Sequence, residues 1–194
     1  MQTYEIGELA EKYEVSGRGP GYISAGDSWD PGGDSYGSYQ LATKVGTLQG
    51  YLRTSLPYVN ELKAAGRIKS KTFNAKWKAI AAQDPDGFKQ SQFDYVATIS
   101  YLPCRKYADH IGIADTLALN SCLFSTSNQS GGWRKILDRA GVNQLDDEET
   151  QINKLYDARA RYFQSLTSLS AKVKKAIIEQ RTIKERADCL KLLV

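Results

Sequence analysis

Histidine is nearly missing from this 194-residue chain, where His110 stands alone. A His-based zinc site or a peptidase triad would have to be built around that one imidazole. Beside Asp109 it reads more simply as structural. Cysteine is sparse as well: Cys104, Cys122 and Cys189 form an odd, widely spaced set, and no pair has metal-ligand or redox-motif spacing. They read as free thiols of a chain made in a reducing cytosol. No apolar run approaches the roughly 18 residues of a membrane span. The opening MQTYEIGELAEKYE is charged and amphipathic, unlike a signal peptide. The expectation is cytoplasmic synthesis without a leader, so any action on a cell wall needs another carrier. Repeats and low-complexity runs are lacking. Strands and helices do not alternate, which argues against a parallel sheet. Gly17-x-Gly19 neither follows a strand nor opens a helix, which argues against a nucleotide-binding loop. No metal and no cofactor is expected.

What is present suits one globular domain. Hydrophobic residues make up 41% and charged residues 25%, enough apolar material for a core without metal or disulfide support. The formal charge is +4, and the segment 171–194 alone holds seven Lys/Arg against three Asp/Glu. That segment is either a solvated helix face or a contact for an anionic partner such as cell-wall polymer or membrane. The excess is too small to favour nucleic acid.

Residues 3 to 14 carry Ile6, Leu9, Ala10 and Tyr13 at helical spacing, and Gly17 with Gly19-Pro20-Gly21 ends the run. Residues 16 to 40 are rich in glycine and turn formers but also hold Tyr22, Ile23, Trp29, Tyr36 and Tyr39. They read as an irregular β-hairpin region, with strands near Tyr22–Ser24 and Tyr36–Leu41 and a turn at Asp30-Pro31-Gly32-Gly33. From Thr43 onward helical periodicity dominates. One series is Phe73, Trp77, Ile80 and Ala81, with Ser70 or Thr72 as cap. Another is Phe88, Gln92, Tyr95, Val96 and Ile99, ending at Pro103. Ile152, Leu155, Tyr156, Arg159 and Phe163 mark a third, with Asp146 as cap. The expected fold class is α+β, mainly α, with about six or seven helices after the hairpin region.

Glu14 ends the first helix, one turn after Ala10 and just before the glycine loop. Desolvation beside the apolar face and the negative end of the helix dipole both disfavour a carboxylate there. A carboxyl group that keeps its proton near neutral pH is what a general acid requires; the plainer reading is a surface glutamate at a frayed end. Asp27, Asp30 and Asp34 follow in the hairpin region. Glycoside hydrolysis uses two carboxyl groups flanking the bond, and a hairpin folded back across the helix end would bring one of these opposite Glu14. They are also ordinary turn formers. In Tyr36-Gly37-Ser38-Tyr39-Gln40-Leu41, glycine and hydroxyl residues let a polymer approach the backbone, Gln40 offers donor and acceptor, and the aromatic rings suit sugar faces.

The run YEVSGRGP…ISAGDSWDPGGDSYGSYQL resembles the start of phage-type lysozyme-like peptidoglycan hydrolases, and more distantly goose-type lysozymes, lytic transglycosylases and chitosanases. ADTLALNSCLFSTSNQSGG (114–132) and LYDARARYF (155–163) resemble later helices of the phage proteins. The resemblance covers roughly residues 5 to 165, strongly over 13 to 41. It implies a lysozyme-like fold, Glu14 as acid, and Asp30 or Asp34 as second carboxylate. Tyr36, Ser38, Tyr39, Gln40 and Gln129 would line a glycan groove. Val15 departs from the family's usual Ser, and Asn128 and Ser130 flank Gln129 where apolar and His residues are commoner. The organisation implied is a catalytic domain over 1–165 with a basic helical segment, 166–194, packed on it. The function implied is a muramidase of phage lysis or tail origin, monomeric, with peptidoglycan strands as partner and release by a holin or the virion. Alternatives are a lytic transglycosylase, a chitosanase-like hydrolase, and an inactive virion module.

Overall fold

The computed structural model describes residues 5–25 and 33–193. The chain forms two compact units: residues up to Tyr13 together with those from Ala97 onward, and Glu14–Val96. The chain follows the expected class, mainly helical with a small sheet after the first helix, and that sheet lies in the Glu14–Val96 unit. Among the described residues no helix is long and apolar enough to cross a membrane.

The unit Glu14–Val96 starts with the last two residues of α1 (Glu5–Val15). Then come β1 (Ile23–Ser24), β2 (Ser35–Tyr36) and β3 (Leu41–Ala42), an antiparallel sheet in the order β1-β2-β3. Ile23 pairs with Tyr36, and Tyr36 with Leu41. The expected Tyr36–Leu41 strand is therefore two short strands joined by a turn. Gly37 and Gln40 take positive φ, 77° and 54°, which no continuous strand allows. The Asp30-Pro31-Gly32 part of the expected turn lies outside the described residues, as do Asp27 and Trp29. Four helices complete the unit: α2 (Thr47–Tyr51), α3 (Val59–Ala64), α4 (Lys71–Gln83) and α5 (Pro85–Val96). Ser70 caps α4 by accepting from the Phe73 amide at 3.1 Å.

This core is aromatic. Trp77 on α4 is fully buried, with Tyr36, Tyr51 and Phe88 packed edge-to-face around it. Such edge contacts add about 0.5–1.5 kcal/mol each beyond area burial. Tyr51 donates to or accepts from Ser91 at 2.8 Å, and burial pushes its phenol up to about 12.

In the other unit a π-helical turn (Ala97–Tyr101) leads into α6 (Leu102–His110). Pro103 starts α6 instead of ending a helix, because a first-turn residue needs no amide hydrogen. Then come α7 (Leu117–Gln129), α8 (Trp133–Ala140), α9 (Glu148–Ser165), α10 (Ala171–Ile177), a second π turn (Ile178–Lys184) and α11 (Glu185–Leu190). α7 is buried on every side from Ala118 to Ser127, the mark of a central helix. α6, α9 and α11 pack on it. The cap of α9 is Asp147, which accepts from the Thr150 amide, while Asp146 instead binds Lys154. The segment 166–194 contributes α10 and α11 to this unit, where the Cys189 thiol donates to the Ala118 carbonyl of α7 at 3.2 Å.

Candidate active site

Glu14 lies in the last turn of α1, half-buried, one residue before the buried Val15. The helix stops because Ser16 and Gly17 turn to positive φ (53° and 70°). Arg18 then closes the end: its backbone amide and its Nε both donate to the Val15 carbonyl, at 3.1 and 2.8 Å. Its guanidinium sits 3.8 Å from the centre of the Tyr22 ring.

The loop after Glu14 is tied to the core through the Pro20 carbonyl. The Pro20 carbonyl accepts from the Trp77 indole at 2.8 Å and from the Gln92 amide at 3.1 Å. The oxygen of that same Gln92 amide accepts from the Ser38 backbone amide at 3.0 Å. Gln92 thus clamps the glycine loop to the β2–β3 turn. The clamp explains Gly37, since a Cβ there would fall on the Gln92 amide and its φ is +77°. Sequence reasoning placed Gln92 on an apolar helix face without assigning it a role. A lone amide amid aromatic periodicity was the available signal.

The expected groove residues divide. Gln40 is half-buried and holds the turn from within: its Oε1 accepts from the Ser24 hydroxyl at 3.1 Å, and its Nε2 donates to the Gly37 carbonyl at 3.2 Å. Asp34 is partly buried, paired with Lys69 at 2.9 Å, and its carbonyl accepts from Thr43 at 2.9 Å. Tyr36, Ser38 and Tyr39 are buried. The Tyr36 hydroxyl donates to Asn74 at 2.7 Å and its ring packs on Phe73 and Trp77. Burial first and the Asp34 charge second raise its pKa. Neither Tyr36 nor Tyr39 offers a face to a sugar, because core formation has consumed both rings. Asp30 lies outside the described residues. In this unit Glu14 lies in the last turn of α1 just before the clamped loop, and Ser24 and Gln40 are bonded to each other in the hairpin region that also holds Asp34.

Gln129 belongs to the other unit. Its carbonyl oxygen accepts from Arg159 at 2.8 and 2.5 Å. Arg159 is fully buried and also donates to Glu185 at 2.8 Å. Glu185 accepts in addition from Ser125 (2.6 Å), Tyr156 (3.0 Å) and Arg181 (2.6 Å). Burial alone would raise the Glu185 pKa. The two guanidinia and the Ser125 bond outweigh it, so the group stays below the usual carboxylate range. The Ser125, Gln129, Tyr156 and Arg159 positions of the two later motifs thus converge in space. Their organiser, Glu185, escaped sequence reasoning because it lies in a basic stretch that reads as solvent-exposed. Among the described residues no cluster of three or more His, Cys, Asp or Glu side chains could hold a metal.

The fold is similar to that of a native chitosanase from Bacillus subtilis MY002, with a TM-score of 0.60, 18% identity, and coverage of 97% of this chain and 87% of the other. It is a lysozyme-like fold. The type VI secretion system spike protein VgrG3 of Vibrio cholerae serotype O1 is 29% identical over 195 residues, covering 92% of this chain. The chain spans 19% of that relative's length. The family described as type VI secretion system spike protein VgrG3-like, C-terminal, matches residues 6–186. The family matched is thus one of secretion spike proteins, whereas the Tyr13–Leu41 motifs suggest phage-type hydrolases. The chain belongs to the VgrG3-like C-terminal family of type VI secretion spike proteins.

Proposed function

We propose that this chain is a glycoside hydrolase that cuts the glycan strands of peptidoglycan, with Glu14 as general acid. The observation that carries the reading is the placement of Glu14. It is a half-buried carboxyl group in the last turn of a helix, followed by a loop fastened through Pro20 to Trp77 and Gln92. Fixing the loop fixes the acid, and positioned general acids contribute about 10²–10⁴-fold to rate. Glu14 hands its proton to the glycosidic oxygen. Asp30 or Asp34 then activates water or stabilises the developing oxocarbenium ion. In the second role Asp34 works from its ion pair with Lys69. The Gln40 amide, already shaped by Ser24 and Gly37, offers polar contact to the sugar. Carriage on a secretion spike would bring the activity to a bacterial wall.

Loss of turbidity of purified peptidoglycan tests the reading. Wild type is expected to clear it and Glu14→Gln to fail while keeping the wild-type unfolding curve. Equal clearing by both proteins would refute the assignment. A second reading, hydrolysis of a chitosan-like amino-sugar polymer, draws on the chitosanase fold likeness. New reducing ends from chitosan, with none from peptidoglycan, would favour it.

A further inference from the structure

The unit built around α7 carries a surface groove of its own. It lies between α6 and α8 and has a volume of about 740 Å³, within the ≈ 300–1,000 Å³ of ordinary ligand pockets. Two aromatic rings form its wall. Tyr107 and Trp133 have centroids 6.1 Å apart and planes 55° apart, and both are half-buried. The Arg134 guanidinium lies 4.5 Å from the centre of the Tyr107 ring, which fixes a cation on the rim. Lys106 and His110 line the same groove and are exposed. Asp138 accepts a hydrogen bond from the Tyr107 hydroxyl, which puts a carboxylate acceptor at the polar edge of that ring.

The geometry points to a second, non-catalytic site that binds an anionic glycan polymer: sugar rings lying against Trp133 and Tyr107, with carboxylates that the polymer carries on its peptide stems held by Arg134, Lys106 and His110. Half-buried rings are anchored yet still present apolar surface, which suits the C–H face of a pyranose. Donors and a carboxylate acceptor stand side by side, as polyhydroxylated rings require. Rings tilted by 55° do not form the parallel stack that successive bases use. The anionic polymer is peptidoglycan, the substrate of the proposed reaction, with its free carboxylates on the peptide stems, so the inference rests on that reading for its ligand. It does not depend on Glu14 as a catalyst. Its role would be to hold the enzyme on an insoluble wall between cleavage events.

The test uses the full chain carrying Glu14→Gln, so that the wall is not digested, and measures retention on purified insoluble peptidoglycan. In that background Trp133→Ala is expected to weaken binding roughly tenfold. Arg134→Glu with Lys106→Glu, which leaves the rings in place, should weaken it comparably. Without the Glu14 change, Trp133→Ala should release products from short soluble glycan fragments at the wild-type rate. Unchanged retention in the charge variant overturns the site, even if Trp133→Ala unfolds. Tighter retention of a single-stranded oligonucleotide, abolished by the same substitutions, overturns it in favour of nucleic acid. Loss of retention in a protein that cleaves no glycan would sink the catalytic reading and leave the binding site standing.

Discussion

Glu185→Leu takes one carboxylate away from two guanidinia that stay behind. In the folded protein Glu185 and Arg159 are fully enclosed, and Arg181 nearly so. Bonds from Ser125, Tyr156, Arg159 and Arg181 end on the Glu185 oxygens, at 2.6 to 3.0 Å. Leucine fills similar volume but accepts nothing, so two cations and two hydroxyls lose a partner in a dry interior. Breaking a buried ion pair from one side typically costs about 3–5 kcal/mol, a large share of the roughly 5–15 kcal/mol that holds a domain together. Glu185→Gln keeps an acceptor but loses the charge and should cost about 1.5–3 kcal/mol, the value of a charge-assisted bond. Removing all three charges together, Arg159→Met, Arg181→Met and Glu185→Leu, should return the protein to within about 2 kcal/mol of wild type, because no stranded charge remains. Urea unfolding at neutral pH followed by circular dichroism reads all three. If Glu185→Leu costs under about 1 kcal/mol, or the triple variant is no better than the single one, stranded buried charge is not the source of the loss.

Acid should unfold this unit through the same carboxylate. The folded Glu185 pKa is depressed, so its contribution is complete above the unfolded value of about 4.3 and fades as pH falls through the folded value. Asp188 adds to this, held low chiefly by bonds from Lys12, Lys191 and Tyr13. Asp188→Asn should therefore lower stability at pH 7 and flatten its pH dependence below about pH 4, as acid titrations of the melting temperature would report. Gly37→Ala is expected to cost about 2–4 kcal/mol, from positive φ plus overlap with Gln92, whereas Gly17→Ala, open on all sides, should cost only about 1 kcal/mol. Equal costs in urea unfolding would discount the Gln92 clamp. All three free cysteines are buried, and burial pushes the Cys104 thiol up to about 12. Native protein at pH 8 should resist iodoacetamide and label only on unfolding; rapid native labelling of Cys104 would contradict its enclosure.

Local signals carried most of the fold. Ser70 was readable as a cap because its hydroxyl acts on an amide three residues away. Trp77 and Phe88 were readable as core from helical spacing. What depended on distant partners was not readable. Tyr36 and Tyr39 looked like a sugar platform from their density in a glycine loop, but Trp77, Asn74 and Phe93 lie 35 or more positions away and claim those rings. The basic C-terminal segment looked like a free cationic face. Four of its seven cations, Arg181, Lys184, Arg186 and Lys191, are paired with carboxylates, and Arg181 is inside. At the site, Glu14 at a helix end was legible from glycines alone. The atom that fixes its loop, the Pro20 carbonyl, was not, because its donors come from α4 and α5.

Mass spectrometry of the soluble fragments released from purified peptidoglycan reports the broken bond directly. Wild-type protein should release muropeptides severed between sugars, and Glu14→Gln should lower their yield about 10²–10⁴-fold. Intact glycan strands with severed peptide stems, or the same fragments at full yield from Glu14→Gln, would contradict a glycosidase that works through Glu14.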